Sequence, residues 1–268
     1  MASVKKRIEQ IHQPRGGYLP LSLFKTTSLD DQRILHTNEN IHSSLVGSAV
    51  DYLSRWGTGT PLTSAFQTSL LGAKAYDECC RRVLGVCPSP EDTEFENAHL
   101  LLSGMKGLDN QSIANACMLA GYDVCYRTGN ILPFKPVGTI QPDNHTLDNI
   151  RIMVERSFAF WDIYGPILKS GFSFENGYTD FITAAEPDYL THNTLWDFKT
   201  TEGKPKPKDT LQLLIYYIMG CRSQPSEFNS IKTLGIFNPR TNTVYTADIS
   251  SIPQAVIDEV SRDVIGYQ

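Results

Sequence analysis

Between residues 41 and 56 the chain places Ile41, Leu45, Val46, Ala49, Val50 and Leu53 at the spacing that gathers side chains on one face of an α-helix. Gly57-Thr58-Gly59-Thr60-Pro61 supplies its stop. Residues 1–35 show no strong periodicity, and Gly16-Gly17 followed by Pro20 reads as an irregular lead-in. From 64 to 84 and from 90 to 121 the pattern stays mostly helical, with breaks at Cys87-Pro88-Ser89-Pro90 and at Gly107. Gly129, Pro133, Pro136, Gly138 and Pro142 mark 127–145 as a loop or short extended pieces, and a further helix is expected over 147–169. A mostly helical lobe over 60–170 follows from this pattern.

After Gly171 the texture changes to short extended runs, over 172–174, 178–183 and 194–200, with turn material at Ala185-Glu186-Pro187-Asp188 and His192-Asn193. A helix over 209–221 comes next. Strands over 233–237 and 243–249 follow, joined by Asn238-Pro239-Arg240-Thr241-Asn242, and an amphipathic helix over 253–264 closes the chain. There is no internal repeat. The expectation is one domain over 1–268, with its catalytic sheet region in 171–250.

Two of those strands carry charge where a buried strand should be apolar. Asp180 sits among Tyr178, Phe181 and Ile182, and in Leu195-Trp196-Asp197-Phe198-Lys199 the acid and the lysine are two residues apart, so they share one face while Trp196 and Phe198 take the other. Burying two carboxylates and an ammonium is costly unless they pair or hold a metal, so this is either a structural ion cluster or a site. The site reading places Asp180 and Asp197 as hard oxygen ligands for Mg²⁺ or Mn²⁺, whose waters can become nucleophiles. Lys199 would orient or deprotonate such a water, or neutralise charge on a phosphate. In the next helix Gln212 and Tyr216 are i, i+4 neighbours in an apolar run. Gln212 has a plainer reading as a helix-end residue bonded to a nearby loop.

The order Asp180, Asp197-Phe198-Lys199, Gln212-x-x-x-Tyr216 resembles the PD-(D/E)XK nuclease superfamily, closest to its RecB-like branch, over about 177–250. That resemblance implies an α/β fold, a restriction-endonuclease-like core with a mixed central sheet flanked by helices, here with the helical lobe as an insertion. It also implies hydrolysis of DNA with Mg²⁺ or Mn²⁺, and a ligand from an N-terminal helix where Gly-x-x-x-His is typical. Gly47-Ser48-Ala49-Val50-Asp51 has that spacing, so Asp51 becomes the third expected metal ligand, with a solvated surface acid as its alternative and His42 or Glu39 as fallbacks.

Composition narrows the setting. The net charge of -5 argues against holding nucleic acid by bulk electrostatics and leaves DNA contact to local basic segments: Lys204-Pro205-Lys206-Pro207-Lys208, Lys5-Lys6-Arg7 and, in the hairpin turn, Arg240. No run approaches the roughly 20 apolar residues of a membrane span, and the polar N-terminus lacks a signal segment, so a cytoplasmic place is expected. Six cysteines without CxxC spacing fit reduced thiols rather than zinc or iron–sulfur ligands. Phage defence and DNA repair or recombination both suit such a nuclease, with a protein partner or a second copy of the chain left open. The competing readings are a catalytically inactive nucleic-acid-binding or protein-interaction domain, and a helical scaffold with a small sheet appended.

Overall fold

A computed structural model describes residues 2–85 and 89–268; Cys87 lies outside the described residues. In chain order the elements are α1 (Val4–Gln10), β1 (Lys25–Ser28), α2 (Ser43–Gly57), α3 (Leu62–Ala65), α4 (Gln67–Cys79), α5 (Glu94–Ser103), α6 (Asn110–Ala120), α7 (Asp123–Thr128) and α8 (Asn144–Tyr164). There follow β2 (Lys169–Ser170), β3 (Tyr189–Leu190), β4 (Thr194–Phe198), α9 (Pro207–Ser223), α10 (Pro225–Phe228), β5 (Thr233–Asn238), β6 (Thr243–Asp248) and α11 (Gln254–Glu259). They fall into two compact units, Gln32–Ala159 and Met1–Asp31 with Phe160–Gln268, where the pattern led us to expect one domain with a lobe beginning near 60. The fold is α/β.

The sheet unit holds, among the described residues, a six-stranded mixed sheet in the order β1-β6-β5-β4-β3-β2. Only β4 and β5 pair in parallel, and α9 connects them, as a crossover between parallel strands requires. Strand alternation sorts the side chains of β4 to β6 onto two faces. Leu195, Leu234, Ile236 and Tyr245 join a core with Leu211, Leu214, Ile215 and Met219 of α9. Trp196, Phe237 and Val244 point the other way and pack with Phe160 and Trp161, from the end of α8, and with Phe198. The ring of Trp196 occupies the space above Gly235, its register partner: a Cβ there would lie 2.2 Å from the indole. A sheet with its own two-faced core is not an appendage to a helical scaffold, so that reading is set aside.

The helical unit buries Val46, Val50, Leu53, Phe66, Ile113, Tyr122, Ile150 and Val154 around one core. Its helix ends are tied by buried acids. Asp77 of α4 accepts the N–H groups of Glu94 and Phe95 at the start of α5, at 3.0 and 2.9 Å. Among the described residues no helix is long and apolar enough to cross a membrane, and Cys79, Cys80, Cys117, Cys125 and Cys221 are free thiols.

Three expectations are corrected. Residues 1–35 are not all irregular: α1 starts at an N-cap, Ser3, whose side chain accepts from Lys6 N, and β1 pairs antiparallel with β6. Residues 172–174 lie outside any strand, the nearby edge strand being Lys169–Ser170. Nor is 178–183 a strand. There Thr179 gathers the chain into a turn: its N–H donates to Ile182 O at 3.0 Å, and its Oγ1 accepts the N–H groups of Phe181 and Ile182, both at 3.2 Å. A threonine hydroxyl offering the backbone a local partner outcompetes a ladder that has no neighbouring strand to complete it.

Candidate active site

β4 is buried on both faces, and Asp197, its next-to-last residue, is 1% exposed. Just beyond the strand the Lys199 N–H donates to Phe237 O at 2.9 Å, so the chain stays beside β5 and keeps the Lys199 side chain on the Asp197 face. The Lys199 ammonium lies 2.6 Å from Asp197 Oδ2. The contact is an ion pair by distance, yet Oδ2 is buried and accepts no hydrogen bond of regular geometry. Burial pushes the Asp197 carboxyl up to about 7, against the pull of Lys199 and with Asp188 adding to the rise. On Lys199 burial works against the charge, but Asp197 and then Asp188 more than offset it and hold the ammonium above its ordinary value.

α9 backs this pair. Gln212, within the helix and buried, accepts from Lys199 Nζ at 3.2 Å through Oε1 and donates from Nε2 to the Tyr216 hydroxyl at 2.8 Å. The plainer reading of Gln212, a helix-end residue bonded to a loop, therefore does not hold. Burial raises the Tyr216 hydroxyl pKa, and Asp197 and Asp188 raise it further. The structure thus brings Asp197, Lys199, Gln212 and Tyr216 into one hydrogen-bonded and ion-paired chain.

A fifth member went unread in the sequence. Asp188 Oδ2 accepts the N–H of Phe198, the residue between Asp197 and Lys199, at 2.7 Å. Its position follows from register: Thr191 N donates to Thr194 O at 3.0 Å around His192-Asn193, Leu190 opposes Leu195 and Tyr189 opposes Trp196. One more step puts Asp188 opposite Asp197, on the same face. The signal was present, because His192-Asn193 between two extended runs is a two-residue hairpin loop, and counting outward from it reaches the pair.

Other expected residues are placed elsewhere. Asp180 is exposed, between Thr179, whose hydroxyl donates to Ile265 O at 2.6 Å, and Phe181, whose ring lies under the Arg7 guanidinium. The turn that replaces the expected strand turns its carboxylate outward. Asp51 belongs to the helical unit, where Arg55, one turn along α2, holds it at 2.8 Å; the i, i+4 spacing is enough to explain the pair. Lys204, Lys206 and Lys208 are exposed, but α9 begins at Pro207, so only the first two lie on extended chain and Lys208 is in the first helical turn. Arg240 Nε donates to Thr200 O at 2.7 Å and the neighbouring Asn238 Nδ2 donates to Thr201 O at 2.7 Å. Arg240 therefore staples the segment that follows β4.

No protein-family model matches the chain, and no curated protein or solved structure matches it. The reading of the site therefore stands on its geometry.

The donor set bears on which metal could sit here. Among the described residues no three His, Cys, Asp or Glu side chains converge as a metal-binding group. Asp197, whose Oδ2 faces the Lys199 ammonium, and Asp188 are a pair of hard oxygen donors, and Mg²⁺ is commonly held by one or two carboxylates with water and substrate phosphate completing its shell. Two carboxylates fit that requirement.

Proposed function

We propose that this chain is a metal-dependent nuclease, hydrolysing phosphodiester bonds of DNA, with a restriction-endonuclease-like core of the PD-(D/E)XK, RecB-like kind. The observation that carries the reading is the buried Asp197–Lys199 pair, two residues apart on β4, with Asp188 opposite it and Gln212 and Tyr216 behind. Support also comes from the mixed sheet with α9 between its parallel strands. With Asp188 as the first acid, the order becomes Pro187-Asp188 followed by Asp197-Phe198-Lys199, closer to the superfamily's name than the order beginning at Asp180.

Asp197 and Asp188 are the residues that would hold Mg²⁺ or Mn²⁺, which when bound supplies an activated water and a Lewis acid for the phosphate. Lys199, kept protonated by its two acidic neighbours, acts as a cation that stabilises negative charge developing on a phosphate oxygen, rather than as a base. Gln212 fixes the Nζ of Lys199 through Oε1, and Tyr216 fixes the amide of Gln212. Lys204, Lys206 and Lys208 are the exposed cations of the segment that follows β4, suited to backbone phosphates. Phage defence or DNA repair and recombination remain the proposed settings.

A second reading, a nucleic-acid-binding or protein-interaction domain without catalysis, draws on the absence of a three-ligand group among the described residues. Supercoiled plasmid incubated with wild type and with Lys199→Ala, in Mg²⁺, in Mn²⁺ and in chelator, separates the two. Nicked or linear product in the wild-type lanes with metal alone supports the nuclease. The same pattern in every lane would sink it.

A further inference from the structure

The segment that follows Lys199, over 200–206, is fastened at both ends. At its start Arg240 Nε donates to Thr200 O and Asn238 Nδ2 to Thr201 O, both at 2.7 Å. At its end Asp209 Oδ2 accepts the Lys206 N–H at 2.7 Å, and Asp209 N donates back to Lys206 O at 2.8 Å. Asp209 is buried in the first turn of α9, and at i, i+3 and i+7 it shares one helix face with Gln212 and Tyr216. Gln212 accepts from Lys199 Nζ at 3.2 Å, so the same face of α9 fixes both Lys199 and the end of the segment.

The Gly16-Gly17 turn presses on that end as well. Gly17 has a φ of +86°, and a Cβ on it would lie 2.8 Å from Cβ of Pro207, the first residue of α9. Ahead of Pro207 the chain is extended, because Lys204 and Lys206 each precede a proline; Lys206 has a φ of -95° and a ψ of 164°. Pro205 is buried while the lysines on either side of it are exposed, and neither ammonium has an ion pair or hydrogen bond among the described residues. Two residues of extended chain span about 6–7 Å, close to the separation of consecutive phosphates along one nucleic-acid strand. Cations carried on backbone that is already fixed lose less freedom on binding than cations on a loose loop.

Resting on the nuclease reading above, we propose that Asp209 is a positioning residue of this site: by holding the Lys206 N–H it keeps Lys204 and Lys206 in register with Lys199, so that their ammonium groups donate to consecutive phosphates of the DNA strand being cut. Such contacts act on binding more than on the chemical step, and each adds about one to the salt dependence.

Steady-state cleavage of a short labelled DNA duplex tests it as a cycle of four proteins: wild type, Asp209→Ala, Lys204→Gln with Lys206→Gln, and all three substitutions together. The double-lysine variant should raise KM about tenfold or more and make the fall of log(kcat/KM) with log salt shallower by about two. Asp209→Ala should raise KM about fivefold, and Asp209→Asn, whose amide oxygen can still accept from Lys206 N, should recover most of that loss. In the double-lysine background Asp209→Ala should leave KM within about twofold, because the bond it removes then holds no cation in place. Asp209→Glu, which displaces the acceptor by one methylene, replaces Asp209→Ala if that variant does not fold. An equal rise in both backgrounds would make Asp209 a stabiliser of α9 alone and overturns the assignment, as does an unchanged KM and salt slope in the double-lysine variant; either result leaves the nuclease reading intact. If wild type does not cleave, the same cycle read as Kd by fluorescence anisotropy decides. Non-additive losses of affinity uphold Asp209 and the two lysines in a DNA-binding protein that is not a nuclease, whereas additive losses, equal affinities, or no binding by wild type overturn the proposal.

Discussion

Asp197→Asn replaces a buried carboxyl by a neutral amide of the same shape and so removes a titrating group from the buried strand β4. The carboxyl is raised from 3.8 to about 7, chiefly by burial. A folded-state pKa above the unfolded one means that folding favours the protonated acid. The stability it contributes is therefore complete below about pH 4 and is lost as the pH rises through 7. A rise of that size corresponds to a few kcal/mol in all, more than half of it falling between pH 5 and 8. In wild type Lys199 adds no slope in that window, since Asp197 and Asp188 hold its pKa above the ordinary value and keep it charged in both states. The assay is urea unfolding in chelator at pH 5, 6, 7 and 8, followed by tryptophan fluorescence in a Trp56→Phe background, which leaves Trp161 and Trp196 reporting on the sheet unit. Wild type should lose about 2–3 kcal/mol across the series relative to Asp197→Asn. Equal pH slopes in the two proteins would mean instead that the Asp197 carboxyl titrates at an ordinary pKa, against its burial in β4.

Two further outcomes follow from packing and hydrogen bonding. Gly235→Ala drives a methyl to within 2.2 Å of the Trp196 ring across the parallel β4–β5 pair, so unfolding should cost about 1–3 kcal/mol less than in wild type, as measured in urea. Gln212→Leu keeps the volume but strips Lys199 Nζ of an acceptor and the Tyr216 hydroxyl of its donor; about 1–3 kcal/mol of stability should go with it, and no measurable loss would mean that water replaces the amide.

The central part of the sheet unit was legible because its signals are local. α9 shows an apolar run broken only by Gln212, and over β4 and the residue after it charged and aromatic residues alternate at a period of two, so that Asp197 and Lys199 fall together and Trp196 and Phe198 fall opposite. What escaped reading depends on partners distant in sequence. α1 offers two buried apolar positions in seven residues, and β1, Lys25-Thr26-Thr27-Ser28, has none; both exist through pairing with residues more than 150 positions away. Asp180 drew notice because it stood among aromatic and aliphatic residues, but Thr179 folds that stretch into a turn and leaves the acid exposed. Asp188, masked by the turn chemistry of Glu186-Pro187, holds the place instead, and the hairpin that follows it fixes the register. Asp51 shows what spacing along one helix leaves open: it does not say which unit that helix joins, and in the helical unit the acid pairs with Arg55.

Under the proposed function Asp188, Asp197 and Lys199 form the site and Asp180 stands outside it. Initial rates of DNA cleavage in Mn²⁺ by Asp188→Asn and Asp180→Asn, each beside wild type, test it most directly. Asp188→Asn should lose about a hundredfold or more while Asp180→Asn keeps a rate within about twofold of wild type. Full activity in Asp188→Asn, or its loss in Asp180→Asn, would contradict it.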